Sequence, residues 1–172
     1  MIGRIMKRLM LQPRVKRATW PQLCSAAAVS KERFEAMLNT VSEQGASVEI
    51  SGLPPIRDIV AHLSEENRRT SAVLDALRSG RIATIPAPSQ YSGALARTLP
   101  EVGTDYNESW QRLALAAAQP ITNGIISRHE FFGDLTAAEW LALVGYNLEF
   151  HARQIERIMR SADYRKMQGA DW

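Results

Sequence analysis

The sequence predicts an all-α protein, a four-helix bundle with long crossover connections, and three observations support this fold class. Four segments repeat apolar residues at intervals of three and four, which is the period of one helix face. Two of these segments open with the Thr-x-x-Gln or Thr-x-x-Glu spacing that is typical of a helix capping box. No segment sustains the alternation of apolar and polar residues that a half-buried strand needs. Helices joined by irregular links favour a bundle.

The first two predicted helices are bounded by capping and breaking residues. The first begins at the capping box of Thr19 and Gln22, and its apolar period continues to Gly45. The second runs from about residue 55 to residue 79, between a pair of prolines and Gly80. The segment RIATIPAPSQYSGALARTLPEVG follows it, rich in Pro, Gly, Ser and Ala and without sustained periodicity. We expect this segment to be a long loop.

The third and fourth predicted helices rest on the same signals. The third begins at Thr104 or Asp105 and ends at Pro120, and the irregular link ITNGIISRHEFFGD separates it from the fourth. The fourth begins at a Thr-x-x-Glu capping box just ahead of Trp140 and continues to about Ala162. Links of this length permit crossovers, so we do not expect a simple up-down order of helices.

Composition and charge divide the chain into a basic N-terminal tail, residues 1–18, and a single bundle domain, residues 19–172. The whole chain of 172 residues is long enough to bury one sizeable core. The net charge is +3, yet the tail holds six of the 21 basic residues and no acidic one, which leaves the domain with 15 basic and 18 acidic residues. We therefore expect a mobile tail and a domain that does not bind nucleic acid. The alternative is a tail that contacts phosphates or a membrane surface.

The remaining composition indicates a cytoplasmic protein. No apolar run approaches the ~18 residues of a membrane span, so we expect no membrane-spanning helix. The single cysteine, Cys24, excludes an internal disulfide framework, and it also excludes a cluster of thiolates for zinc within one chain. Such cysteine usage suits a reducing cytoplasm.

Polar residues on the predicted inward face of the fourth helix are the first candidates for function. Asn147 and His151 lie one turn apart in the stripe that contains Trp140 and Ile155. A buried polar group without a partner costs roughly 1–3 kcal/mol, so we expect Asn147, His151 and His62 of the second helix to converge. Spacing alone leaves two interpretations open. Such histidines are more often satisfied by a carbonyl or carboxylate than by a metal ion, although facing helices of a bundle do build metal sites.

Two further groups need an interpretation. In the run SEENRR, residues 64–69, we expect a solvated surface with Glu66 alone turned toward His62. His129 precedes the fourth helix, and the favoured interpretation is a residue that bonds the backbone and fixes the turn before Gly133. Its alternative is a polar group at the mouth of the bundle cavity.

Two segments, LPPIRDIVAHLSEENRR and RHEFFGDLTAAEWLALVGYNLEFHARQIERI, resemble the corresponding parts of the DinB-like family. The resemblance covers roughly residues 20 to 162. It implies a four-helix bundle with a long crossover and a divalent ion, commonly zinc or nickel, held by one histidine of the second helix and two of the fourth. By this match His62 takes the first place and His151 the last, whereas Asn147 stands where the third histidine is expected.

The resemblance implies two alternative functions. The first is a metal-dependent enzyme of the hydrolase or thiol-dependent transferase type, in which the ion lowers the pKa of a thiol or water. The substrate and the thiol are not identified by the sequence. An amide oxygen is a weaker zinc ligand than imidazole, so Asn147 weakens the implied site unless Glu66 or water completes it. The second form is therefore a non-catalytic, metal-free bundle that binds a small molecule or serves a structural role. Family members often pair through helix faces, which implies a homodimer.

Overall fold

The computed structural model describes residues 7–83 and 97–167. Part of the predicted long loop, residues 84–96, and the first six residues of the predicted tail lie outside this description. A π-helical turn at Lys7–Leu11 precedes the regular elements, and a 3₁₀ turn lies at Gly45–Ser47. The helices are α1 (Gln12–Val15), α2 (Trp20–Leu38), α3 (Ile56–Arg78), α4 (Leu99–Ala116), α5 (Ala137–Met159) and α6 (Ala162–Met167), and the strands are β1 (Ile126–His129) and β2 (Gly133–Thr136).

The four long helices, α2 to α5, form the bundle, and contacts between α3 and α4 confirm a crossover. Asn67 Nδ2 donates to Ser109 Oγ. Farther along both helices, the Arg78 guanidinium donates to the carbonyl of Ala116, so α3 and α4 run parallel. A parallel neighbour can be reached only by a connection that returns along the length of the bundle. The long link between α3 and α4 is therefore a crossover, as the sequence predicts.

The other helix directions follow from contacts of α2. Trp20 Nε1, at the start of α2, donates to the carbonyl of Ala117, just after the end of α4. Near the other end of α2, the ring of Phe34 packs on Tyr106 with centroids 5.5 Å apart. The helices α2 and α4 are thus antiparallel. Fully buried side chains from all four helices fill the space between them, including Phe34, Ile59, Leu74, Leu113, Trp140 and Ile155. Each such side chain contributes about 1.5–3 kcal/mol through its burial.

The start of α5 is a capping box, as the sequence predicts. Thr136 N donates to Glu139 Oε2 at 2.8 Å, and Glu139 N donates to Thr136 Oγ1 at 3.3 Å. The start of α4 differs from the prediction, because the helix begins at Leu99 and not at residue 104 or 105. A second reciprocal box explains this, in which Thr98 N donates to Glu101 Oε2 at 2.6 Å. This Thr-x-x-Glu signal lies within the segment that the sequence analysis assigns to a loop.

A two-stranded antiparallel hairpin corrects the expectation that the chain contains no strand. β1 pairs with β2 in the link before α5, with Ser127 opposite Leu135 and His129 opposite Gly133. The inward-facing residues of β1 are the polar Ser127 and His129, whereas Ile126 is exposed. Strands are recognised in a sequence by apolar residues on the buried face, so this pattern gives no signal. The fold class remains all-α, with a small hairpin at the base of α5.

The described part of the predicted basic tail, residues 7–18, contains the π-helical turn and α1, and the mobility of the tail stays a prediction. Leu11 is completely buried, and it packs with the core of the bundle. The guanidinium of Arg14 bonds to Glu149 of α5 at 2.8 Å and lies over the ring of Tyr146. An apolar anchor and a cation–π contact thus hold this segment against α5. Among the described helices, none combines the length and the apolarity of a membrane span.

Candidate functional site

The rings of His62 and His151 face each other across the bundle, with centroids 5.2 Å apart in an edge-to-face arrangement. His62 lies on α3 and His151 on α5, two helices that run antiparallel. His151 is 4% exposed and His62 is half-buried. The sequence-based expectation that these two histidines converge is therefore confirmed. Amphipathic periodicity places each histidine beside its helix's apolar stripe, and packing of the two stripes brings the rings together.

Gln154 fixes the orientation of the His151 ring. Gln154 Oε1 lies 2.7 Å from His151 Nδ1, one turn along α5. Because an amide oxygen only accepts, Nδ1 is the donor in this bond, and the lone pair of the neutral ring lies on Nε2. A hydrogen bond of this kind from the far nitrogen is the usual support of a metal-ligating histidine.

Both imidazoles are held in the neutral form. The pKa of His151 is lowered to about 4, mainly by burial and in smaller part by the neighbouring His62, whereas the Gln154 bond acts in the opposite direction. Burial also lowers the pKa of His62 from its ordinary value of 6.5. A neutral imidazole is the form that ligates a metal ion or accepts a proton, so both histidines are in the form that such chemistry needs.

Asn147 lies one turn before His151 on α5 and is half-buried. The described residues give its side-chain amide no hydrogen bond. An amide at this position offers one neutral oxygen donor, which binds zinc more weakly than imidazole does.

Glu66 lies one turn after His62 on α3, and its closest charged partner is Arg69. Glu66 Oε1 is 3.7 Å from Arg69 Nη1, and the other oxygen, Oε2, has no hydrogen-bond donor within the described residues. Burial raises the pKa of Glu66 to about 7, a change that Arg69 opposes and that Glu130 and Glu65 reinforce. Glu66 therefore titrates much closer to neutral pH than an exposed carboxyl does.

The sequence-based metal prediction names four residues, His62, Asn147, His151 and Glu66. The two facing imidazoles are strong ligands for zinc or nickel. Across residues 7–83 and 97–167, no group of three or more His, Cys, Asp or Glu side chains is arranged to hold a metal ion. Glu66 thus does not form a three-ligand group with the histidine pair in this arrangement, and the remaining donors would come from Asn147, water or substrate.

A second polar cluster, formed by Arg69, Glu130 and Trp140, lies farther along α3. Arg69 Nη1 donates to Glu130 Oε1 at 2.8 Å, and Nη2 bonds to the other carboxylate oxygen. The Arg69 guanidinium also lies 5.3 Å from the centre of the Trp140 ring. The Arg69 Nε and Trp140 Nε1 donors find no acceptor within the described residues. The ion pair therefore supplies acceptors for the two terminal nitrogens of Arg69, but not for Arg69 Nε or Trp140 Nε1.

His129 completes the turn of the hairpin. Its Nδ1 accepts hydrogen bonds from the backbone N–H of Phe131 at 3.1 Å and of Phe132 at 3.5 Å. Burial lowers the pKa of His129 to about 4. This geometry agrees with the interpretation of His129 as a residue that bonds the backbone and fixes the turn.

Sequence reasoning missed the burial of Arg69. The run SEENRR was expected to be solvated, yet Asn67 is 3% exposed and Arg69 is 5% exposed. Charged residues in a helical run are usually on the solvated face, and the acceptor that allows burial of Arg69, Glu130, lies 61 positions away in the sequence. The signal available was periodicity, because Asn67 and Arg69 fall among the buried positions Leu63, Thr70 and Val73 of the same helix.

Comparison with known proteins supports the fold. No family model matches the chain, and no curated protein matches it. Among solved structures, the chain is similar to TT2238, described as a four-helix bundle protein, with a TM-score of 0.66 and 21% sequence identity. The match covers 81% of this chain and 99% of that chain. At this identity the likeness shows a four-helix bundle and nothing beyond the fold.

Proposed function

We propose that this chain is a metal-dependent enzyme of the hydrolase or thiol-dependent transferase type, similar to DinB-like proteins. In this proposal His62 and His151 are the two imidazole ligands of a divalent ion such as zinc or nickel. The observation that carries it is the pair of facing neutral imidazoles from antiparallel helices, 5.2 Å apart between ring centroids. Two ligands from facing helices are the way in which helix bundles build metal sites.

Each residue of the site has a distinct role in the proposal. His151 holds its proton at Nδ1 toward Gln154 and presents Nε2 as the ligating atom. Asn147 supplies a weak oxygen donor, and Glu66 is the candidate to accept or donate a proton, since its pKa is raised to about 7. When bound, a divalent ion would lower the pKa of a coordinated thiol or water and so supply the nucleophile.

A second candidate function is a metal-free bundle that binds a small molecule. The observation in its favour is that the described residues contain no group of three His, Cys, Asp or Glu side chains placed to hold a metal. The two candidates differ in one measurable property, which is the affinity of the native protein for zinc and nickel.

Replacing Asn147 with histidine tests the proposal, because it would place a third imidazole one turn before His151. We expect Asn147→His to raise zinc and nickel affinity at least about tenfold, since even an outer partner of a metal ligand is worth roughly 10–100-fold in affinity. Elemental analysis of the purified proteins and calorimetric titration with each metal would measure this change. Both readouts are independent of any enzymatic activity.

Two further variants make the test specific. Gln111→His adds an imidazole at an exposed position of α4, and it should leave the affinity unchanged. His151→Gln should abolish the binding that Asn147→His creates. Negligible metal in both the native protein and Asn147→His would overturn the metal proposal and favour the metal-free bundle.

A further inference from the structure

A cleft of about 730 Å³ runs along the C-terminal halves of α2 and α5, and its lining does not include the proposed metal ligands. The two helices approach closely just before it, where a Cβ added at Gly145 would lie 3.8 Å from Ala27 Cα. About one turn beyond this contact, the cleft begins at Ser30 and Leu148. Small-molecule sites typically have volumes of roughly 300–1,000 Å³, so the cleft has the size of a ligand site.

Apolar side chains from both helices line part of this cleft. Met37 comes from α2, and Leu148, Ala152 and Met159 come from α5. The two methionines are only half-buried, so some of their apolar surface remains accessible to a ligand. Methionine is unbranched and adapts its shape to an apolar partner. The cleft can therefore bury a short hydrocarbon chain.

Two arginines supply the available polar groups of the cleft. Arg33 of α2 and Arg153 of α5 both line it, and both are exposed. Neither has a hydrogen bond or an ion pair with another described residue. A guanidinium is always charged, and its planar set of N–H donors matches the two oxygens of a carboxylate. An acidic group in the cleft would therefore find donors from both helices that no described side chain already uses.

The acidic residues of the lining are already paired, which gives the cleft a preference for anions. Glu149 accepts a hydrogen bond from Arg14 at 2.8 Å, and Glu156 lies 3.4 Å from Arg160. Three arginines and two glutamates line the cleft, so the formal charge of the lining is +1. Because both glutamates have partners, the charge left available to a ligand is positive, and it attracts an anion more strongly than a cation.

We propose that this cleft binds a small molecule with one carboxylate group on a short apolar chain. The guanidinium groups of Arg33 and Arg153 donate N–H bonds to the carboxylate, and the chain packs on Met37 and Met159. The single negative charge of the ligand matches the formal charge of the lining. This assignment goes beyond the proposed function and is independent of metal binding at the histidine pair.

Binding of octanoate to the metal-free native protein tests the proposal, with octanol and octylammonium as controls of similar size and different charge. We expect saturable binding of octanoate, binding of octanol that is weaker by about fivefold, and the weakest binding for octylammonium. Acetate, which lacks the apolar chain, should bind at least about tenfold more weakly than octanoate. Calorimetry would give the affinities, and NMR of the methionine methyl groups should show shifts at Met37 and Met159. Equal affinity for octanoate and octylammonium, or no octanoate binding, would overturn the proposal.

Matched variants locate the site. Arg33→Gln and Arg153→Gln should each weaken octanoate binding about two- to fivefold, as expected for exposed ion pairs. Arg157→Gln removes the same charge one turn farther along α5, at an exposed position outside the lining, and should leave the affinity unchanged. The double variant Arg33→Glu/Arg153→Glu should reverse the preference, so that octylammonium binds better than octanoate. Equal losses in Arg153→Gln and Arg157→Gln would show attraction by net charge alone and contradict the assignment. Because these titrations use metal-free protein, their failure and a failure of the metal proposal are distinguishable.

Discussion

Two polar groups on α3 lie seven residues apart, and they satisfy their burial in different ways. His62 meets His151 as a pair of neutral rings, and the second nitrogen of His151 is supported by Gln154. Arg69 meets Glu130 as a pair of opposite charges and lies over the Trp140 ring. Each ring of the histidine pair keeps the neutral form that can ligate a metal ion, whereas the ion pair uses its charges to attach the hairpin to the bundle. The ion pair therefore serves as a structural contact, whereas the neutral histidine pair is the group that we propose to bind a metal ion.

The largest expected change in the free energy of unfolding comes from replacing Arg69. Arg69→Met leaves Glu66 and Glu130 without their cation, and removing one partner of a buried ion pair costs roughly 3–5 kcal/mol. Because the Glu130 side chain is 33% exposed, we expect the lower end of this range. Urea unfolding of the native and variant proteins would measure the free energy of unfolding.

The neighbouring arginine provides the control for this variant. Arg68 pairs with Asp105, and its side chain is 39% exposed. Arg68→Met should therefore cost only about 0–1 kcal/mol, as exposed ion pairs do. Similar losses in both variants would show that the Arg69 cluster does not hold the hairpin in place.

Acid should destabilise both regions, because each contains a buried histidine whose pKa is lowered to about 4, His151 in one and His129 in the other. The unfolded chain binds a proton near pH 6.5, and the folded protein does so only near pH 4. Stability is therefore lost as the pH falls through this window, by about 1.4 kcal/mol per pH unit for each histidine. His151→Gln and His129→Gln should each remove one such contribution.

The pH dependence of the free energy of unfolding must be compared between each variant and the native protein, because Glu66 also contributes to it. Glu66 acts in the opposite direction, because its pKa rises from 4.5 to about 7 on folding, and stability is lost as the pH increases between these values. Thermal or urea unfolding in metal-free buffer between pH 7 and pH 4 would give the slopes. A slope that neither histidine variant reduces would contradict the assignment of neutral buried rings.

The parts of this molecule that the sequence predicts are those that depend on local signals. The capping box before Trp140 predicts where α5 begins, because its two residues lie within one turn of the helix start. The apolar period of α3 and α5 predicts that His62 and His151 lie on inward faces and meet. The burial of Arg69 was not predicted, because it depends on an acceptor, Glu130, in a hairpin that is distant in the sequence. The hairpin itself was not found because Ser127 and His129 occupy its inward face. The Arg69–Glu130 contact and the hairpin therefore leave no local pattern, whereas each of the two histidines is marked by its place beside an apolar helix stripe.

Loss of the hydrogen bond between Gln154 and His151 should have the smallest effect on the free energy of unfolding. The same loss should lower metal affinity strongly. Gln154→Met removes the acceptor 2.7 Å from His151 Nδ1 and keeps a side chain of similar size. One hydrogen bond contributes about 0.5–1.5 kcal/mol to stability, so the fold should persist. In the Asn147→His background, loss of this support should lower zinc affinity roughly 10–100-fold, whereas Gln111→Met on α4 should change neither property. Unchanged zinc affinity in the double variant would mean that Gln154 contributes to packing alone, and the histidine pair would then be no more specialised for ligation than the ion pair of Arg69.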